Sequence, residues 1–208
     1  MASSAHVRAL TRDNVEHLAL NCRSCTRWEL DAVHSARASR AGAGAAAKAQ
    51  WLSTTLLEWG SCGQVSYVDD QPVGYITYAP PAFLPGLAAF ATSPVAPDAV
   101  GLATVYIDPM YRGRGYGRVL VRAAAADLVR RGVRAMEVIA TEQSTSCLVP
   151  AEFVRAVGFT TVRSHPMTPR LRLDLKSTVS WREDVEAALD RIRKRAPALG
   201  TVPRNDLN

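Results

Sequence analysis

The 208-residue sequence contains neither a long hydrophobic run nor a recognisable leader. No apolar stretch approaches the roughly 20 residues that a helix needs to cross a membrane. Residues 1–8 lack the positively charged region and the following apolar core that a secretory signal requires. These two absences argue against a membrane-spanning or secreted protein, and we expect a cytoplasmic one.

Cysteine is also scarce, with four residues in the whole chain: Cys22, Cys25, Cys62 and Cys147. Cys22 and Cys25 form one C-x-x-C pair. A four-cysteine zinc site usually takes a second such pair, and the sequence has none. We therefore predict reduced, partly buried thiols and no metal. An interaction module built on a zinc ion at Cys22 and Cys25 is the alternative.

Acidic residues are in the minority, with 19 Asp and Glu against 25 Lys and Arg, which gives a net charge of +6. The basic residues are spread along the chain, apart from a short cluster at residues 191–195, and no basic patch is interleaved with aromatic residues. We therefore do not expect nucleic acid as a partner. A polyanionic small molecule accounts for part of the excess, because positive potential attracts phosphates. The hydrophobic content of 48% is ample for a single core.

The most informative stretch combines a strand, a glycine-rich turn and a helix. Residues 102–107 are rich in β-branched and aromatic side chains, which is typical of a buried strand. An Asp-Pro pair ends this strand, because proline has no amide proton for a sheet ladder. Gly113, Gly115 and Gly117 follow at every second position and allow turns with positive φ. We predict a helix from there to residue 130.

A glycine turn that leads into a helix is a site for an anion, because free amides and the positive end of the helix dipole point at the same place. Arg112 and Arg114 add positive charge. The turn lacks the Gly-Lys-Ser/Thr ending of a P-loop and the spacing of a dinucleotide fold. We predict that it binds a phosphate or pyrophosphate without a metal. A surface turn without a ligand would explain the glycines, but not their regular spacing or the two arginines.

Residues 112–117 (RGRGYG) resemble the signature Arg/Gln-x-x-Gly-x-Gly/Ala of the GNAT family of N-acetyltransferases. In that family the loop wraps the pyrophosphate of acetyl-CoA, so the resemblance implies acetyl-CoA as co-substrate. Residues 153–159 are similar to a second motif of the family, a short helix that ends in Gly-Phe. The residues implied to bind the cofactor are Tyr106, Ile107, Arg112, Gly113, Arg114, Gly115, Tyr116 and Gly117.

The same resemblance implies an α/β (α+β) fold, with a mixed, mostly antiparallel central sheet flanked by helices over residues 1–176. Residues 177–208 would add a C-terminal helix, which starts at a capping box of Ser180 and Glu183, and a frayed tail. The apolar side chains of this helix fall on one face, which predicts that it docks on the domain; they are Trp181, Val185, Leu189 and Ile192. Residues 22–31, 57–68 and 180–187 are further similar to a little-characterised branch of the family without an assigned substrate.

Two segments give weaker patterns. The alanine-rich segment 36–47 has low complexity, and we predict that its start is mobile before a helix begins. Residues 79–97 contain five prolines and several apolar residues, which predicts an irregular loop. This loop either lines a substrate site or packs on the core.

The resemblance implies that the protein transfers an acetyl or other short acyl group from CoA to a primary amine of a small molecule or a protein. Such a transfer needs a neutral amine, an oxyanion stabiliser and a route for a proton. Backbone amides near Tyr106 and Ile107, in a bulged central strand, are the implied stabiliser. Two positions depart from the family pattern. Val154 stands where members carry a tyrosine that protonates the CoA thiolate, and Cys147 stands where many carry an asparagine.

Other side chains could move the proton instead, as could ordered water. The candidates are Glu137, Glu142 and Asp108 as bases, and Tyr106, Ser146 and Cys147 as acids. A weak acid–base set would lower the rate by about 10²–10⁴. The alternative function is therefore a CoA-binding regulatory or scaffold protein with little or no turnover. The sequence is compatible with a homodimer.

Overall fold

The computed structural model describes residues 5–143, 147–175, 185 and 187–192. Its strands are β1 (Ala5–Ala9), β2 (Gly63–Val68), β3 (Gln71–Ala79), β4 (Ala99–Ile107), β5 (Ala135–Thr141), β6 (Val149–Pro150), β7 (Thr160–Arg163) and β8 (Arg170–Asp174). They form one sheet in the order β1-β2-β3-β4-β5-β8-β7, with β6 beside β5. All neighbours are antiparallel except β4–β5 and β5–β6. The predicted fold class, a mixed and mostly antiparallel sheet, is confirmed.

Helices cover both faces of this sheet. They are α1 (Leu20–Ser24), α2 (Ala32–Arg40), α3 (Gly44–Glu58), α4 (Tyr116–Arg130) and α5 (Ala151–Ala156). The helices α1 and α3, together with the loop 79–97, pack on one face, and α4 and α5 pack on the other, whereas α2 packs against α3. Alternate residues of each inner strand therefore enter two different cores, as the pleat of a strand requires. None of the helices in the described residues is long and apolar enough to span a membrane.

The alanine-rich segment is more regular than its composition suggested. Asp31 caps α2, and its Oδ1 accepts hydrogen bonds from the amides of Val33 and His34 at 2.9 Å. Alanine has the highest helix propensity, and the cap supplies the missing start signal. The beginning of segment 36–47, for which the composition predicted mobility, therefore lies inside the regular helix α2.

The proline-rich loop 79–97 packs on the core, as the second of the two alternatives had it. It contains two short 3-10 helices, Pro81–Phe83 and Pro85–Ala89. The side chains of Leu84 and Leu87 are buried. The indole of Trp51 on α3 donates a hydrogen bond of 2.7 Å to the carbonyl of Phe83, which fastens the loop to that helix.

The C-terminal helix lies alongside α4. Residue 185 and residues 187–192 are helical, and Ala188, Leu189 and Ile192 are buried against Tyr116 and Val119. The predicted docking of this helix is confirmed. The predicted domain boundary at residues 176–177, the capping box of Ser180 and Glu183, and the tail lie outside the described residues.

Candidate active site

The parallel strands β4 and β5 pair over only three residues each. Residues 99–101 of β4 lie in register with residues 135–137 of β5. Beyond that point β4 continues along β3 to Ile107, whereas β5 takes β6 as its partner at Ala140 and Thr141. The two strands therefore separate, and a wedge opens between them with the carboxyl end of β4 on one side.

A bulge in β4 lies where the strands part. Leu102 pairs with Tyr78 and Thr104 pairs with Thr77, so that Ala103 is the extra residue. A bulge bends its strand and increases the local twist, which turns the rest of β4 away from β5. The resemblance implied a bulged strand with stabilising amides near Tyr106 and Ile107, and the bulge itself lies three residues before Tyr106.

The wedge leads into a cleft whose walls come from three parts of the chain. One wall is the end of β4, a second is the segment before α5, and the third comes from the region of α1 and α3. The lining residues are Thr104, Val105, Tyr106, Cys147, Leu148, Val149, Cys22, Cys25, Trp28 and Lys48. Three of the four cysteines thus share one cleft.

The glycine-rich turn follows directly from the open end of β4. Gly113 has φ of 72° and Gly115 has φ of 95°, a left-handed backbone that favours glycine. Gly117 has no positive φ and lies in the first turn of α4. A Cβ on Gly117 would come within 2.9 Å of the Phe153 ring, so a larger residue at this position would displace that ring of α5.

The backbone of this turn is accessible. The first backbone hydrogen bond of α4 runs from the amide of Val119 to the carbonyl of Gly115 at 3.1 Å. Within the described ranges, the amides of residues 113–118 donate to no backbone carbonyl. A Cβ on Gly113 would meet nothing within 4 Å, and one on Gly115 would approach only Ile192, at 3.8 Å. The turn therefore presents free amides on an open surface.

Arg112 and Arg114 add two cations to this surface. The Nε of Arg112 donates to the carbonyl of Ile107 at 3.0 Å, which folds the side chain back over the end of β4. The Arg114 guanidinium lies 5.6 Å from the centre of the Tyr111 ring. Neither arginine forms an ion pair within the part of the chain that the structure describes. Free amides next to two uncompensated cations favour an anionic ligand.

Residues 15–147 match the model of the acetyltransferase (GNAT) family, well over half of the chain. The chain belongs to the GNAT acetyltransferase family. The family predicted from the sequence is thereby confirmed. A comparison with curated proteins found no match.

Solved structures show that this GNAT chain has the fold of known acetyltransferases. The PaiA N-acetyltransferase from Thermoplasma acidophilum in complex with coenzyme A has a TM-score of 0.56 and 14% identity, over 82% of this chain and 99% of that one. An N-acetyltransferase from Staphylococcus aureus has a TM-score of 0.55 and 14% identity, over 83% of this chain and 99% of that one. The GNAT family N-acetyltransferase YhbS from Escherichia coli, in complex with CoA, has a TM-score of 0.50 and 20% identity, over 91% of this chain and 87% of that one.

Among the candidate acids of the GNAT chain, Tyr106 lies in the cleft. Its ring stacks on that of Tyr75 with 5.4 Å between centroids. Burial raises the pKa of Tyr106, so its hydroxyl keeps its proton at neutral pH. Cys147 also lines the cleft and is exposed. Ser146 lies outside the described residues, and Val154 is fully buried in the core with no proton to give.

Glu137 lies away from the cleft. Its carboxylate is buried and forms ion pairs with Arg170 at 3.3 Å and Arg172 at 3.2 Å. Glu137 pairs with Gly101, five residues before Tyr106, which places it about 16 Å away along β4 at roughly 3.3 Å per residue. These ion pairs and this distance favour a structural role.

The other two candidate bases are also engaged elsewhere. Glu142 is held by Arg155, and the hydrogen bond from that guanidinium lowers the pKa of the carboxyl. A lowered pKa makes a carboxylate a weaker base. Asp108 accepts a hydrogen bond from the amide of Met110 at 2.9 Å and caps the short helix Pro109–Tyr111. Neither residue lines the cleft.

The thiols differ in exposure more than the sequence analysis predicted. Cys22 and Cys25 are half-buried, whereas Cys147 is exposed and Cys62 is buried. Burial raises the pKa of Cys22, and it raises the pKa of Cys62 to about 12. Among the described residues, no group of three His, Cys, Asp or Glu side chains is arranged to hold a metal ion.

The sequence analysis missed a buried ion pair beside the cleft. Lys48 on α3 lines the cleft and pairs with Glu29, and the two side chains are 8% and 0% exposed. The Oε2 of Glu29 has no hydrogen-bond partner among the described residues. A signal was present, since Lys48 precedes Trp51 and Leu52 by three and four residues and so lies on the buried stripe of its helix.

Proposed function

We propose that this protein transfers an acetyl or another short acyl group from CoA to a primary amine in the cleft between β4 and β5. The observation that carries the proposal is the continuity of the site. The open glycine-rich turn follows the same strand end that lines the cleft with Tyr106. A long ligand with an anionic group in its middle and a reactive group at its end can contact both.

The residues present fit acetyl-CoA. The amides of residues 113–118, together with Arg112 and Arg114, would hold the pyrophosphate. Residues 102–107 of β4 have no partner on the β5 side and leave a backbone edge for the pantetheine arm. The thioester would supply the activated acyl group at the end of this arm.

The cleft offers few groups for proton transfer. Its titratable side chains, within the described ranges, are three cysteines, Lys48 and Tyr106. Tyr106 can donate a proton to the departing thiolate, because its raised pKa keeps the hydroxyl protonated. These described lining residues include no carboxylate and no imidazole that could take the proton of the amine. The amine therefore enters in its neutral form or loses its proton to water.

Isothermal titration with acetyl-CoA tests the proposal. We expect saturable binding by the wild type and binding weakened about 100-fold or more by Arg112→Glu with Arg114→Glu, because two charge-assisted contacts become repulsive. The matched control, Arg37→Glu with Arg40→Glu on α2, changes the net charge equally and should bind like the wild type. No binding by the wild type, or equal weakening in both variants, would contradict the proposal.

A second candidate is a CoA-binding regulatory or scaffold protein with little turnover. It is favoured by the lack of a carboxylate or imidazole among the described lining residues and by the buried valine at position 154. Incubation with acetyl-CoA and a library of amines, read by mass spectrometry, separates the two candidates. Acetylated product that disappears with the Arg112→Glu, Arg114→Glu variant would rule out the scaffold function.

A further inference from the structure

A second groove lies at the far end of the glycine-rich turn, between α4 and the C-terminal helix. Its floor is apolar and consists of Val119, Ala188 and Ile192. Its rim carries Arg114 from the turn, Arg118 from the first turn of α4 and Arg191 from the C-terminal helix. The groove measures about 150 Å³ and begins at Gly115, the residue that precedes α4.

Hydrogen bonds to backbone carbonyls hold Arg118 and Arg191 in place, and among the described residues they occupy only part of the guanidinium donors. Arg118 Nη2 donates to the carbonyl of Ala156 at 2.9 Å, and Arg191 Nε donates to the carbonyl of Ala187 at 3.1 Å. Within the described ranges, no carboxylate lines the groove and none of the three arginines forms an ion pair. Three cations on one rim repel each other, and an anion between them would relieve that repulsion.

We propose that this groove binds the 3′-phosphate of CoA and that Arg191 is a residue of the cofactor site. The inference rests on the proposed function. With the pyrophosphate at the amides of residues 113–118, the adenosine end of CoA leaves the turn next to Gly115. The phosphate on its ribose is a dianionic group with oxygens that suit guanidinium donors. Arg191 lies well beyond residue 147, where the match to the family model ends.

The C-terminal helix therefore has a second role besides covering the sheet. Leu189 and Ile192 anchor it on the same core cluster as Tyr116 and Val119. Those contacts place Ile192 beside Gly115, at 3.8 Å from the position of a Cβ on that glycine, and Arg191, one residue before Ile192, lies on the rim of the groove. Arg191 is exposed and the anchors are apolar. Removal of its guanidinium should thus leave the helix in place.

Titration of the full chain with CoA and with 3′-dephospho-CoA tests the inference. We expect the wild type to bind CoA about tenfold to 100-fold more tightly than dephospho-CoA, because hydrogen bonds between charged groups are among the strongest in proteins. Arg191→Ala should reduce this preference to about threefold or less while the affinity for dephospho-CoA stays unchanged. Arg37→Ala, an exposed arginine on α2, should keep the wild-type preference.

Three outcomes would overturn the inference. Equal affinity of the wild type for the two ligands would show that the groove does not bind the 3′-phosphate, although the proposed function would stand. Equal weakening of both ligands by Arg191→Ala, with a lowered melting temperature, would show a structural role for Arg191. Binding of neither ligand by the wild type would overturn the proposed function together with the inference.

Discussion

The two ends of the β4–β5 pair use polar groups in opposite ways. At the closed end, Glu137 meets Arg170 and Arg172, and Arg172 also meets Asp98 at 2.8 Å. At the open end, strand and turn leave backbone amides, Tyr106 and three thiols around a cleft. Polar groups that find partners within the chain stabilise the fold, whereas the amides of residues 113–118, which donate to no backbone carbonyl in the described ranges, are free to bind a ligand.

The closed end also sets where the open end begins. Glu137 lies opposite Gly101, the last β4 residue that pairs with β5. Its carboxylate additionally accepts a hydrogen bond from the amide of Ala96, just before β4, at 3.2 Å. The network thus ties β5, β8 and the approach to β4 together at one point. Beyond that point the bulge at Ala103 can direct the strands apart without loosening the sheet.

The largest expected effect comes from breaking the closed end. Glu137→Ala should lower the free energy of unfolding by about 3–5 kcal/mol, because it leaves the largely buried Arg170 without its carboxylate partner among the described residues and removes one of the three carboxylates that Arg172 meets. Urea denaturation at pH 7 measures this change in the free energy of unfolding. Glu142→Ala is the control, since its ion pair with Arg155 is partly exposed to solvent and should contribute far less to stability. Unchanged stability with lost acetyl transfer would instead make Glu137 a catalytic residue.

A smaller effect, confined to the open end, comes from Tyr106→Phe. If the hydroxyl protonates the leaving thiolate, kcat should fall about 100-fold with little change in stability or in KM for acetyl-CoA. Tyr75→Phe is the matched control, because its buried hydroxyl has no hydrogen-bond partner among the described residues. Steady-state kinetics of both variants give the kcat and the KM for acetyl-CoA that test this role of the Tyr106 hydroxyl. Equal loss of kcat in the two would mean that the stacked rings position the strand and that neither supplies the proton.

The smallest effect is a pH dependence that follows from the composition of the cleft. With an alkylamine acceptor of pKa about 10.4, the rate should rise about tenfold per pH unit between pH 7 and 9, in step with the neutral amine. Burial raises the pKa of Tyr106, so the acid stays protonated throughout this window and rate loss begins only above about pH 10. A plateau reached below pH 8 would show that a side chain takes the proton of the amine.

Sequence patterns were reliable where neighbours along the chain decide the structure. The central strand, the turns at Gly113 and Gly115 and the helix after them follow from local propensity and from the positive φ that glycine allows. The docking of the last helix followed from the spacing of Leu189 and Ile192. The family itself was recognisable from six residues of the turn and the elements on either side.

Tertiary contacts decided the rest, because they join residues that no local pattern relates. Cys22, Cys25 and Cys147 line one cleft only because α1 packs opposite the segment before α5. Gly117 lies against the ring of Phe153, and the charge of Glu137 is matched by two arginines from β8. The sequence by itself determined the strand, the anion-binding turn and the family. Packing decided which polar groups pair within the chain and which remain available to a ligand, because a sequence does not show which distant residue a side chain will contact.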